Sequence, residues 1–313
     1  MAIRPADHGI FASAVGAAVA VAAYFAGGST GSDSAVVDKF AFADDSRTTL
    51  STGLSAAREE LAGAANSAVA AYIGGGEQSN TRVATVDKFA FPGDGRSTLG
   101  TGLSAARAQL AAAANSAVAG YFAGGNDGSR VTTVDKFAFP GDGRSTLGTG
   151  LSAAVIELAG LANSGVAGYF AGGENAAYSR VDTVDKFAFP GDSRSTLGTG
   201  LSGDRRLQGA AANSGVAGYF AGGDYNKITT VDKFAFPGDS RSTLGTGLSV
   251  GRRALAGAAN SGVAAYFAGG EASSGRVTTV DKFAFPGDGR STLGAGLSAA
   301  TNFLAGAADS GIL

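Results

Sequence analysis

The residues whose types and spacing could do chemistry recur in this chain rather than stand alone. An Asp-x-Arg pair appears as Asp94/Arg96, Asp142/Arg144, Asp192/Arg194 and Asp239/Arg241. A carboxylate two residues from a guanidinium could bind an anion or position a proton donor. Near-identical copies fit turn chemistry better than one active site. The pair therefore reads as a turn acid joined to its arginine, worth about 0–1 kcal/mol at a surface. Asp-Lys, as in Asp135-Lys136, reads as an ion pair at a strand edge with the lysine stem packed along it. Asp127-Gly128-Ser129 hints at calcium but offers too few ligands. Gly-Gly pairs such as Gly124-Gly125 lack the helix that a phosphate loop needs. His8 is the single histidine and there is no cysteine. That excludes a histidine metal cluster, thiolate ligands, disulfides and a cysteine nucleophile. The expectation is a non-enzymatic protein without cofactor or metal.

The differences between copies lie elsewhere. Tyr178 and Tyr225 are the two tyrosines, and Lys227 the one lysine, outside the repeated framework. They sit with Asp127 and Asp224 in loops that change from copy to copy, while Arg205 and Arg252 lie in variable links between copies. Aromatics beside acids and amides on loop tips suit contact with a glycan or a cell-surface protein. Drift at exposed loops would leave the same variation. These seven residues are the candidate recognition positions.

The elements that must position them follow from the repeat. Tyr-Phe-Ala-Gly-Gly, or a near copy, begins at Tyr24, Tyr72, Tyr121, Tyr169, Tyr219 and Tyr266, and Val-Asp-Lys-Phe-Ala-Phe follows each time. A period of 40–50 residues with four short strands per copy is the pattern of a β-propeller blade. Within the second copy, strand A is expected over 61–65, B over 69–75, C over 83–91 and D over 97–104. Asn66-Ser67 and Pro92-Gly93-Asp94-Gly95 mark the turns. The strands are apolar throughout, as expected when neighbouring sheets cover both faces. The A–B and C–D turns then share one constant end, and the B–C and D–A loops share the variable end. Of 313 residues 51 are glycine and 16% are charged, with a formal net charge of -2. Near-neutrality argues against long-range attraction to nucleic acid or an anionic membrane.

On these phrases the chain resembles the kelch repeat family. Gly124-Gly125, Gly172-Gly173 and Gly222-Gly223 match a strand ending in Gly-Gly, and Val134-Asp135-Lys136-Phe137 matches the strand after it. Ser104 to Arg107 resembles the link into the next blade. The kelch tryptophan is missing in all copies, with Leu147 or its equivalents nearby. The repeat is also similar to repeat proteins of environmental bacteria and phage virions. The kelch resemblance implies a propeller scaffold, and a scaffold alone implies no function. The fold expected is all-β: a six-bladed β-propeller of four-stranded antiparallel blades, closed by the C-terminal strand.

The strand count exceeds the seats. The C-terminal phrase Leu304 to Ser310 keeps the strand A consensus, whereas residues 10–19 precede the first strand B without its turn pair. The expectation is that the C-terminal strand A pairs with the first strand B, and that residues 1–19 form an apolar arm before a propeller over 20–313. Ile10, Phe11, Val15, Val19 and Val21 would then add a strand to a neighbouring subunit and build a homo-oligomer or filament. The alternatives are that the arm packs on its own ring, or that it takes the strand A place itself. Gly9 to Ser32 carries no charge, but Tyr24 to Gly28 is a required strand, so no membrane span or signal segment is expected there. The function expected is a structural, self-assembling protein of an extracellular filament or virion appendage. The rival is a monomeric adhesin binding glycan or protein through its variable end.

Overall fold

The computed structural model describes residues 22–309. Among them the chain is all-β, with no helix, and therefore none long and apolar enough to cross a membrane. Six antiparallel four-stranded sheets follow one another along the sequence. In the second sheet, strand A is Ala62–Asn66, B is Ala70–Gly74, C is Val86–Ala90 and D is Gly95–Thr98. The third to sixth sheets repeat this order, with strand A at Ala111–Asn115, Ala159–Asn163, Gly209–Asn213 and Ala256–Asn260. The first sheet takes strands B to D from Ala22–Ala26, Val37–Ala41 and Arg47–Thr49. Its strand A is Ala305–Asp309, paired so that Ala26 faces Ala305 and Ala22 faces Asp309.

Burial explains the composition. All five residues of strand B are buried in every sheet. Six apolar clusters lie between sheets, each drawn from two successive ones; the cluster holding Phe25, Phe42, Ala256 and Tyr266 joins the sixth to the first. Tyr24 stacks on Phe91 at 5.0 Å and Phe42 on Tyr266 at 5.2 Å, adding specific aromatic contact to area burial. Strands A sit closest together. A Cβ at Gly257 would lie 2.1 Å from the Ala210 carbonyl oxygen, so only a bare backbone fits there.

Strands A and B lie within one residue of expectation, and strands C and D differ more. Strand C is shorter because the Val83 amide donates to Gly76 O, which ties that stretch to the end loop. Strand D starts and stops earlier: after Thr98 one more amide, from Leu99, reaches Val86, and the chain then leaves for the next sheet. The leucine that opens strand A in the other copies predicts a start at Leu207 in the fifth, but Gln208 stands where Leu61 stands in the second. Counting back five residues from Asn213 and Asn66 gives that alignment.

The Asp-x-Arg pairing is also corrected. Asp94 accepts from Tyr24 Oη at 2.7 Å and Lys39 Nζ at 2.8 Å, both on the preceding sheet. Arg96 donates to Thr98 and lies 3.8 Å from Asp87 instead. The acid sits in the turn after strand C and reaches sideways, so its partners belong to another copy. For the same reason Lys136 pairs with Asp192 and not with Asp135 beside it. Tyr72, Tyr121, Tyr169 and Tyr219 repeat the bond with Asp142, Asp192, Asp239 and Asp288, and Tyr266 makes it with Asp45. Burial and the adjacent carboxylate hold all six hydroxyls above the ordinary tyrosine range. At the same end, Asn66 Oδ1 accepts from the Ala117 amide, and Asn115, Asn163 and Asn213 do likewise with the next copy.

Candidate binding face

At the variable end, each link enters strand A through one residue in the left-handed region. These are Glu60, Gln109, Glu157, Leu207, Ala254 and Phe303, with φ between 53° and 62°. Each stands six residues before the asparagine or aspartate that ends its strand. A non-glycine residue held there costs about 1–3 kcal/mol. Backbone hydrogen bonds join the six residues. Gln109 N donates to Glu60 O at 2.9 Å, Glu157 to Gln109 at 2.8 Å, Leu207 to Glu157 at 2.8 Å, Ala254 to Leu207 at 2.7 Å and Phe303 to Ala254 at 2.9 Å. Glu60 N then donates to Phe303 O at 3.0 Å, which returns the series to its start.

All six line one cavity. Along the hydrogen-bond order, Glu60, Gln109 and Glu157 form a polar half, and Leu207, Ala254 and Phe303 an apolar half. Gln109 Nε2 donates to Glu60 Oε1 at 3.0 Å. Burial pushes the Glu60 carboxyl up to about 7, against the Gln109 bond and with added repulsion from Glu77, Glu157 and Glu59. Burial raises Glu157 as well, with Arg206 opposing. Arg206 Nη1 lies 2.7 Å from Glu157 and 2.5 Å from Glu174. Gln208 lines the same cavity and is 5% exposed; its Nε2 donates to Ala171 O at 2.7 Å, while its Oε1 has no hydrogen-bond partner among the described residues.

The rim gathers some of the expected recognition residues and removes others. Tyr225 is 57% exposed, with the Arg206 and Arg253 guanidinium groups 4.4 and 5.0 Å from its ring centroid. Arg206 also donates to its hydroxyl. Tyr178 is 77% exposed, with Arg130 at 4.3 Å. Lys227 Nζ bonds Glu271 Oε1 at 3.0 Å and Ala272 O at 2.9 Å, tying its loop to the next copy. Asp224 is buried and takes Arg180. Asp127 is exposed and, among the described residues, accepts only local bonds from Ser129.

Arg205 and Arg252 are not at the surface. They are 2% and 0% exposed, and pair with Asp232 at 2.5 Å and Asp281 at 2.9 Å. A buried carboxylate of the same copy draws each guanidinium inward, where neither can meet a partner. Arg58 and Arg107 do the same with Asp87 and Asp135. Ile10, Phe11, Val15, Val19 and Val21 lie outside the described residues.

Residues that sequence reading missed line the cavity of this face. Glu60, Gln109, Glu157, Leu207, Ala254 and Phe303 are adjacent to consensus phrases, and their variation looks like link variation. The signal that finds them is the constant six-residue spacing to the end of strand A, together with their side chains: Glu, Gln, Glu, Leu, Ala and Phe. The arrangement can accept hydrogen-bond donors on its polar half, stabilise a positive charge at Glu60, and shelter apolar surface on the other half. Compared with known proteins, the chain matches no family model and no curated protein.

Proposed function

We propose that the six sheets are blades of a closed six-bladed, kelch-like β-propeller, and that the chain is a non-enzymatic binding module. Its variable end would take a protein partner that presents a cationic side chain beside an apolar one. The hydrogen-bond series returning from Phe303 to Glu60 supports closure. One observation carries the binding reading. One strained backbone position, shared by all six copies, bears different side chains in successive copies, and all of them line one cavity. Strain kept at convergent positions points to function rather than drift.

A protein suits this face better than a glycan. Sugars stack on open aromatic rings, and the Tyr225 ring is already engaged by three guanidinium groups. An exposed tyrosine held rigid by arginines is a suitable anchor for a protein interface. Among the described residues the Glu60 carboxyl accepts from Gln109 and forms no ion pair, so it is the acid left to meet a cation. The test is calorimetric titration with phenethylamine, which carries an ammonium group beside an apolar ring, at pH 6 and pH 8. Binding should be tighter at pH 8, where Glu60 is ionised, and should weaken at least tenfold in Glu60→Gln. No binding at either pH, or an unchanged variant, rejects the reading.

A second reading rests on a separate observation. The strand A place of the first sheet is filled by Ala305–Asp309. Strand addition to a neighbouring copy would use residues 10–19, which lie outside the described residues, as in an extracellular filament or virion appendage. Light scattering on the full chain and on a variant lacking residues 1–19 tests it. Polymers that persist in the shortened variant exclude the arm as the coupling.

A further inference from the structure

Repetition supplies an internal control for a site in the fourth sheet. In four copies a buried arginine neutralises the strand C aspartate: Arg58 with Asp87 at 3.1 Å, Arg107 with Asp135 at 2.8 Å, Arg205 with Asp232 at 2.5 Å and Arg252 with Asp281 at 2.9 Å. The same guanidinium also donates to a strand B carbonyl fifteen residues on, as from Arg107 to Phe122 O at 3.0 Å, and Arg107 Nη1 reaches Thr133 O at 3.4 Å. In the fourth copy the arginine place is Val155, and the three acceptor positions are Asp185, Phe170 and Thr183.

All four of these residues line a single cavity. Asp185 is 4% exposed, and accepts from Ser152 N at 2.7 Å, Ser152 Oγ at 2.9 Å and Thr196 Oγ1 at 2.7 Å. Its one ion pair among the described residues is with Arg194 at 3.7 Å, a side chain 28% exposed. A buried carboxylate is expensive unless a cation stands close by. The cavity leaves ≈ 20 Å³ for the centre of a water-sized group, more than one water needs. A planar cation there would meet the charge and the acceptor set that four other copies give to arginine. Ser152 and Ala153, both exposed, are among the cavity's lining residues.

We propose that this cavity is a guanidinium-binding socket, filled by a free guanidinium compound or by the arginine of a partner peptide. Thermal-shift and calorimetric titration of the full chain with methylguanidinium tests it, against methylammonium chloride at equal ionic strength. Saturable binding of methylguanidinium, at least tenfold tighter than methylammonium, is expected. Val155→Arg supplies the cation within the chain, so it should fold with a higher melting temperature and lose that binding. No saturable binding, no preference over methylammonium, or binding unchanged in Val155→Arg overturns the proposal and leaves a cavity for water. A parallel arm with acetyl-Gly-Arg-Gly-amide separates the sources: tighter binding than methylguanidinium assigns the socket to a partner's arginine, weaker binding to a small molecule.

Discussion

Tyr266 Oη donates to Asp45 Oδ1 at 2.8 Å across 221 residues of sequence. Lys282 Nζ reaches the other oxygen of the same carboxylate at 2.7 Å. The bond is the one that Tyr24 makes with Asp94 only 70 residues away. One local geometry thus serves neighbours in sequence and the two ends of the repeat array alike.

Removing the Asp45 acceptor should therefore cost as much as removing an internal one. Asp45→Ala and Asp142→Ala are each expected to lose about 2–4 kcal/mol, since each strands a tyrosine hydroxyl and a lysine ammonium. Urea unfolding of both variants checks this. A neutral Asp45→Ala beside a costly Asp142→Ala would mean that the first and sixth sheets are not held together as the others are.

Glu60 makes stability depend on pH in a defined direction. Its folded carboxyl titrates at about 7, against an ordinary value of 4.5. Between those values the folded protein keeps a proton that the unfolded chain has released, so stability falls as pH rises. The loss is at most about 3 kcal/mol and is complete above pH 7. Glu60→Gln should remove it, raising the melting temperature at pH 8 while leaving pH 4.5 nearly unchanged. Equal shifts at both pH values would refute the assignment.

The buried arginines should be costly to truncate. Arg107→Leu leaves Asp135 charged and buried without its cation, an expected loss of about 3–5 kcal/mol. Arg144→Leu removes a partly exposed arginine 3.9 Å from the same acid, and should cost under about 1 kcal/mol. Chemical denaturation of the two variants separates them, and similar losses would contradict the burial argument.

Close approach of strands A gives a steric test. Gly257→Ala drives its Cβ to within 2.1 Å of Ala210 O, whereas Gly93→Ala meets nothing within 4 Å. The first should destabilise by about 3 kcal/mol or more, or prevent folding, and the second by under about 0.5 kcal/mol. Soluble yield and melting temperature provide the comparison. A tolerated alanine at 257 would show that the strands can move apart.

Strand type, strand order within a sheet and the division into constant and variable ends were legible in the residues. Val86 to Phe89 and Ala70 to Gly74 carry β-forming, apolar phrases, and Asn66-Ser67 and Pro92-Gly93 interrupt them. Turn chemistry and residue periodicity act over a few residues, so a single chain displays them. Strand D was overextended, because Leu99 to Ser104 has the composition of a strand but the path of a link.

Lateral partners were decided only by the packed structure. Asp94 meets Tyr24 and Lys39 of another copy rather than Arg96, and Arg205 and Arg252 turn inward to acids about thirty residues away. Glu60 and Phe303 become neighbours across almost the whole chain. A repeat encodes its own strands locally. Which side chain of the next copy it touches depends on how sheets stack and twist, and that stacking exists only once the copies are side by side.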